Sequence, residues 1–174
     1  MRLALILAAA LSLPAQAADT SIEGVYKVRF KSGYVVPGQP DAVIAAEDVL
    51  ELVRVDDSHL YVRAALRFYN GHTCSFHGVA AAENGAFVYR NADVGLFPDR
   101  PCVLTVSAAA GKLHLTDRPT PDSASTCSAL CGARGSLGNY SIALSKKAPI
   151  RYLPRLTASR EYKEAIAEMA KAPH

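Results

Sequence analysis

The sequence predicts an all-β protein, an antiparallel up-and-down barrel of about eight strands with a C-terminal α-helix. Three observations carry this. Apolar and polar residues alternate with period two in one segment after another. Asn70-Gly71 and Asn84-Gly85 supply the residue pair that tight hairpins favour, because both residues tolerate positive φ. No helical period appears before Thr157, so no crossover helix separates the strands and a meander follows. Closing a meander into a barrel removes its exposed edges. Eight strands leave an interior that side chains just fill, or that holds one small ligand. The alternative is an open two-sheet sandwich.

The elements follow in order. In Ile22 to Lys31, the residues Ile22, Gly24, Tyr26, Val28 and Phe30 share one face, and Glu23, Lys27, Arg29 and Lys31 the other. Lys31 to Pro40, with Gly33, Pro37, Gly38 and Pro40, reads as a long first loop. Glu47 to Val55 is a strand around Val49, Leu50, Leu52 and Val53, ended by the turn Asp56-Asp57-Ser58. Leu60, Val62, Ala64, Leu66 and Phe68 then alternate with Tyr61, Arg63, Arg67 and Tyr69. Asn70-Gly71 turns into Thr73 to Ala82, where Cys74, Phe76, Gly78 and Ala80 align. The remaining strands are Ala86 to Arg90, Pro101 to Ser107, Lys112 to Thr116 and Tyr140 to Ser145. Tyr26, Phe30, Phe68 and Phe76 belong to inward faces, whereas Tyr61, Tyr69 and Tyr89 face outward or into a neighbour. Thr116 to Gly138 is a second long loop, and loops of this length are usually functional or pinned. From Thr157 to Lys171 the period becomes helical. Tyr162, Ala165, Ile166 and Met169 form a stripe that docks on the barrel, Thr157 or Ser159 caps the start, and Lys171 suits the end. Pro149 and Pro154 mark an irregular connector before it.

The N-terminus has a different character. Met1-Arg2 is positive, Leu3 to Leu13 is an unbroken apolar run, Pro14 breaks it, and Ala15-Gln16-Ala17 places small residues where a signal peptidase reads. The run falls short of the ~20 residues that span a bilayer. The expected organisation is therefore a signal peptide over 1–17, a barrel over 18–148, and the connector and helix over 149–174, in a protein of the periplasm or secreted, without a membrane span. In such a compartment the four cysteines, Cys74, Cys102, Cys127 and Cys131, read as two disulfides. Zinc is the rival, since His72 and His77 flank Cys74, but the spacing fits no regular zinc pattern. Three pairings are open. Cys74–Cys131 with Cys102–Cys127 is preferred on the assumption that the long loop folds back and ties each of its cysteines to a different strand. Cys74–Cys102 with a local Cys127–Cys131 bridge is the alternative. The net charge of +3, with both signs interspersed, is too slight to argue for nucleic acid or an anionic membrane.

Two resemblances add expectations. Gly24-Val25-Tyr26, opening an alternating strand, resembles the Gly-x-aromatic start of lipocalin-like barrels, with Tyr where those families usually carry Trp. The segments His72 to Ala80, Cys102-Val103-Leu104 and Cys131 to Leu137 are similar to small secreted proteobacterial proteins, some grouped with periplasmic lysozyme inhibitors. This implies a compact periplasmic β-protein and hints at inhibition of another protein.

Motifs for chemistry are sparse. Ser75 lies near His72 and His77, with Asp56 and Asp57 not far in sequence, but no G-x-S-x-G is present, and a solvated strand face is the plainer reading. Gly132 to Gly138 resembles a phosphate loop without its Lys-Ser/Thr ending, so a tight loop after a disulfide is the plainer reading there too. Within it, Arg134 and Ser136 are candidate partner-binding residues, because a guanidinium on a pinned loop can pair with a carboxylate or phosphate. No cofactor or metal is expected. The functional expectation is a non-enzymatic binding protein whose partner is another protein, as an inhibitor or immunity-type factor, using the Cys127–Cys131 loop or the first loop. The alternatives are a carrier of a small apolar ligand and an uncharacterised hydrolase.

Overall fold

The computed structural model of the protein describes residues 22–91, 93 and 100–171. The expected signal peptide over 1–17 and the cut after Ala17 lie outside the described residues. Nine antiparallel strands form one sheet: β1 (Gly24–Tyr34), β2 (Ala42–Arg54), β3 (His59–Arg67), β4 (Thr73–Glu83), β5 (Ala86–Asn91), β6 (Cys102–Ala109), β7 (Lys112–Thr116), β8 (Tyr140–Ala143) and β9 (Lys147–Ala148). Their order is β8-β7-β6-β5-β4-β3-β2-β1-β9, the sequential meander expected from the turns. β8 and β9 stand at opposite ends of this order, yet only the 3₁₀ turn Leu144–Lys146 separates them in the chain. The sheet therefore curls into a nearly closed barrel.

Inward residues alternate as the period requires. Tyr26, Leu50, Leu52, Val62, Ala64, Phe76, Phe87, Leu104, Val106 and Leu115 are all buried in one core cluster. Asn70 and Gly71 both adopt positive φ, 57° and 74°, as do Asn84 and Gly85 at 47° and 81°, so both hairpin turns form where expected.

Three expectations are corrected. The first and second strands are longer than their apolar bodies. β1 runs on to Tyr34 and β2 begins at Ala42, so the first four residues of the expected loop, Lys31 to Tyr34, belong to a two-stranded ribbon, with Tyr34 paired to Ala42. Glycine at position 33 reads as a breaker but lies within β1, one residue from its end, where the Tyr69 ring covers it. A Cβ there would sit 2.3 Å from Tyr69 Cε2. A ninth strand, two residues long, completes the sheet against Val25 and Tyr26. The connector holds a short helix, α1 (Leu153–Thr157), before α2 (Arg160–Met169), and Pro154 is accommodated in its first turn. Ser159 caps α2 by accepting from the Tyr162 N–H.

The helices dock on the outer face of β2, β3 and β4. Val53, Tyr61, Leu156 and Ala165 form a second buried cluster there, with Val79, Tyr152 and Tyr162 against it. Glu51, 3% exposed, accepts from Arg63 Nη1 at 2.9 Å and from the Tyr152 hydroxyl, which ties α1 to the barrel wall. Tyr61, read as facing outward or into a neighbour, faces the helices and is fully buried, and burial pushes its phenol up to about 12. No helix among the described residues is long and apolar enough to cross a membrane.

Candidate functional site

The meander sorts the connections by length. The turns at 55–58, 84–85, 110–111 and 144–146 lie at one end of the barrel, and the β1–β2 tip, the Phe68–His72 turn and the 117–139 loop lie at the other. All the candidate loops therefore share one end.

The 117–139 loop is a strap across a seam. β4 and β5 pair only from Ala81 with Val88 to Glu83 with Ala86, so the upper half of β4 has no partner there within β5. Tyr89 fills part of this gap. Its ring meets Phe76 edge-on with centroids 4.9 Å apart, and its hydroxyl donates to Glu168 Oε1 of α2 at 3.1 Å. The strap covers the rest. Cys131 forms an isolated antiparallel bridge with Cys74, and the Gly132 N–H donates to Thr73 O at 2.8 Å. On the other side, the Val103 N–H donates to Thr126 Oγ1 at 3.0 Å. The disulfides Cys74–Cys131 and Cys102–Cys127 fasten the strap to β4 and β6. The preferred pairing is the observed one, and no described cysteine is free. Two such bonds imply folding in an oxidising compartment. Asp117, 1% exposed, holds the turn into the strap by accepting from the Cys127 N–H at 3.0 Å and from the Ser125 hydroxyl.

Arg134 stands exposed on this strap, its guanidinium carbon 5.8 Å from the centre of the Tyr69 ring. Tyr69 rests in turn on Gly33 of the ribbon. The ribbon is tied to the Phe68–His72 turn by the Ser32 hydroxyl donating to Phe68 O at 3.2 Å and by the Val35 N–H donating to Asn70 Oδ1 at 3.0 Å. Both candidate loops of the sequence therefore meet at Tyr69. Ser136 is part-buried, and its Oγ accepts from the Gly138 N–H at 3.0 Å, which shapes the loop behind Arg134. Tyr69 is 44% exposed, and Tyr34, Val35, Val43 and Ile44 of the ribbon are exposed as well. This surface was missed in the sequence because Ala42 to Ala46 precede the recognisable alternation. The available signal was five uncharged residues in a row without Pro or Gly.

Below the ribbon, Asp48 is a buried carboxyl that accepts from the Arg67 N–H at 2.7 Å and is hydrogen-bonded to the Tyr140 hydroxyl. Burial raises its pKa against the lowering effect of these bonds, and burial likewise raises that of Tyr140. A groove of about 390 Å³ opens beside the ribbon, lined by Ser32, Ile44, Ala46, Glu47, Arg67 and Phe68. The Arg29 guanidinium, with Lys27, keeps Glu47 ionised below the usual carboxylate range.

The hydrolase residues do not assemble. Ser75 is exposed on β4, and His77 faces Glu164 of α2 at 3.8 Å. An Asp, a Ser and a His do meet at the opposite end, where Asp56 lies 2.8 Å and Ser58 3.1 Å from His59. Both contact the same Nδ1, so the ring cannot pass a proton from one to the other, and a triad needs both nitrogens. The Ser58 N–H and His59 lower the Asp56 pKa to about 2, as in a tight turn. Among the described residues no group of three His, Cys, Asp or Glu could hold a metal ion. In comparisons with known proteins, no family profile, no curated protein and no solved structure matches this chain.

Proposed function

We propose that this chain is a non-enzymatic binding protein of the periplasm that captures another protein at the long-loop end of its barrel, with inhibition or immunity as the sharpest version of that role. One observation carries the reading. Three segments distant in sequence, the ribbon, the Phe68–His72 turn and the disulfide-fastened strap, converge at the exposed Tyr69, which meets Arg134 of the strap and Gly33 of the ribbon, and the ribbon carries exposed apolar side chains. Tyr and Arg are the residue types that anchor protein interfaces, and a preordered surface loses little entropy on binding. The large apolar side chains on the inward faces weigh against a carrier of a small ligand, because they occupy the space it would need. Secretion is supported by the two disulfides and by the tripartite start of the sequence.

The experiment is affinity capture from a periplasmic extract on the mature chain, followed by mass spectrometry, repeated with Arg134→Ala and Tyr69→Ala. The reading expects a protein retained by the unaltered chain and lost from both variants, with melting temperatures unchanged. A variant that melts lower but holds the partner equally well would mark its residue as an internal strut and overturn the reading.

A further inference from the structure

The β1–β2 ribbon outlasts its neighbour. β2 pairs with β3 from Arg54 up to Val49 opposite Ala65, and β3 ends at Arg67, where the chain turns away and the Phe68 N–H bonds to His72 O. From Ala42 to Glu47, β2 is paired to β1 on one side only. Its other edge borders the open groove. Exposed edges are normally blunted by charge, proline or a bulge. Here Ala42-Val43-Ile44-Ala45-Ala46 carries none of these residues, and Val43 is 68% exposed.

The charges around this edge select its occupant. Lys27, Arg29 and Lys31 alternate along β1 on the paired side of β2, and Arg67 lines the groove, against Asp41, which precedes the edge, the buried Asp48, and Glu47, which Arg29 and Lys27 already hold. Lys31, Arg67 and Arg134 are exposed; Arg67 lies near the Asp48 carboxyl, and no ion pair among the described residues holds Lys31 or Arg134. Around this edge five basic residues, Lys27, Arg29, Lys31, Arg67 and Arg134, thus stand against three acidic ones, Asp41, Glu47 and Asp48. A second copy would bring the same excess of positive charge and is disfavoured. We infer that the free edge of β2 from Ala42 to Glu47 receives an extended acidic segment of the protein partner, which adds as a strand and sets carboxylates against Arg67, Lys31 and Arg134. This rests on the reading of a protein partner and specifies its mode. Main-chain hydrogen bonds would supply affinity, and the alternating carboxylates selectivity.

The test uses a blocked, fluorescein-labelled octapeptide alternating valine and glutamate, with a valine–lysine octapeptide as control. Binding is read by anisotropy, and amide hydrogen exchange is followed along the whole chain. The glutamate peptide should bind, the lysine peptide should not, and exchange within Ala42–Glu47 should slow by about tenfold or more. Arg67→Glu and Lys31→Glu should each weaken binding by roughly tenfold at an unchanged melting temperature. Equal binding of the two peptides, no binding of either, or binding without protection at Ala42–Glu47 overturns the inference. Protection of those amides that grows with protein concentration alone overturns it in favour of self-pairing. A captured protein that binds both variants as tightly as the unaltered chain, without protecting the edge, overturns strand addition and leaves the partner reading standing. Protection by the glutamate peptide with no protein captured does the reverse.

Discussion

The two ends of the barrel are built by opposite rules. At the short-turn end, Arg54 crosses the opening with its guanidinium carbon 5.0 Å from the centre of the Phe87 ring and its Nε donating to Glu23 at 2.9 Å, and the Tyr26 hydroxyl donates to Ile22 O at 2.8 Å. The connections there are two to four residues long, and the chain has no freedom to do anything but turn. At the long-loop end, apolar side chains stand in solvent, a strand edge is left unpaired and a 23-residue excursion that lends only Cys127 and Leu137 to the buried core is fastened by two disulfides. A rigid scaffold that carries exposed loops at one end is how folds separate stability from recognition. The difference teaches where each is stored along the same strands.

The largest effect should come from the fasteners of the long-loop end. Replacing Cys102 and Cys127 together by Ala opens a closure of 25 residues, and replacing Cys74 and Cys131 one of 57. The chain-entropy model gives about 3.5 and about 4 kcal/mol respectively. Denaturant unfolding of the two double variants measures both. A loss below ~1 kcal/mol in either case would mean that the strap holds its place without the bond, and that the two ends differ less than their construction implies.

Next in size is Leu52→Ala. Leu52 lies toward the short-turn end of β2, 1% exposed in the central core. Truncation there should cost about 3 kcal/mol, from lost transfer energy and the cavity left behind. Partner capture at the far end should survive once the variant is folded. Thermal unfolding and the capture assay check the two halves of this expectation.

Acid should distinguish the ends by sign. Asp56, in the 55–58 turn, has its carboxyl lowered to about 2, chiefly by the Ser58 N–H. Its contribution is present above the unfolded value of ~3.9 and is lost as pH falls toward about 2. Asp48, below the ribbon, is raised by burial. A raised carboxyl favours the folded state most below the unfolded value, and that advantage is lost as pH rises through the folded one. Asp56→Asn should therefore lower the melting temperature at pH 7 and converge with the unaltered chain near pH 2. Asp48→Asn keeps an acceptor for the Arg67 N–H, so it should raise the melting temperature at pH 7 and lose that gain by about pH 3. Melting curves across this range decide it, and shifts of the same sign would remove the contrast.

Sequence reasoning reached the short-turn end more fully than the other, for a physical reason. Asp56-Asp57-Ser58, Asn84-Gly85 and the period-two faces are local signals, each legible within a few residues, and at the long-loop end only Asn70-Gly71 is of that kind. The disulfide pairing was also within reach, because a long loop with two cysteines has few ways to reach two strands. The ribbon was not. Gly33 suggests a break, yet its lack of a side chain makes room for Tyr69, which lies 36 positions later and is visible only after folding. Ala42 to Ala46 carry no alternation because neither face of that stretch is buried, so the pattern that marks strands had nothing to mark. Arg134, singled out for its place on a pinned loop, stands exposed on the strap. Its neighbour Tyr69 was legible only as a residue of uncertain direction.

Ile44→Ala should have the smallest effect on the fold and is the sharpest probe of the contrast. Ile44 and Leu52 share one strand and one side-chain parity, eight residues apart, but Ile44 is 42% exposed and Leu52 is 1%. Little apolar area is lost from the interior, so stability should change by less than about 0.5 kcal/mol, as for surface substitutions away from caps and cores. Ile44 nevertheless lines the groove beside the free edge, with Arg67 and Phe68. If recognition is stored at this end, truncating it should weaken capture of the partner by about tenfold, the typical weight of a buried apolar contact at an interface. Leu52→Ala should show the converse, a large loss of stability with affinity retained. Both variants are measured for unfolding free energy and for affinity in the same buffer. If the two substitutions lower stability alike, the ribbon belongs to the core. If Ile44→Ala leaves affinity untouched, the apolar exposure of the ribbon has no part in recognition, and the contact must lie with Tyr69 and Arg134 alone.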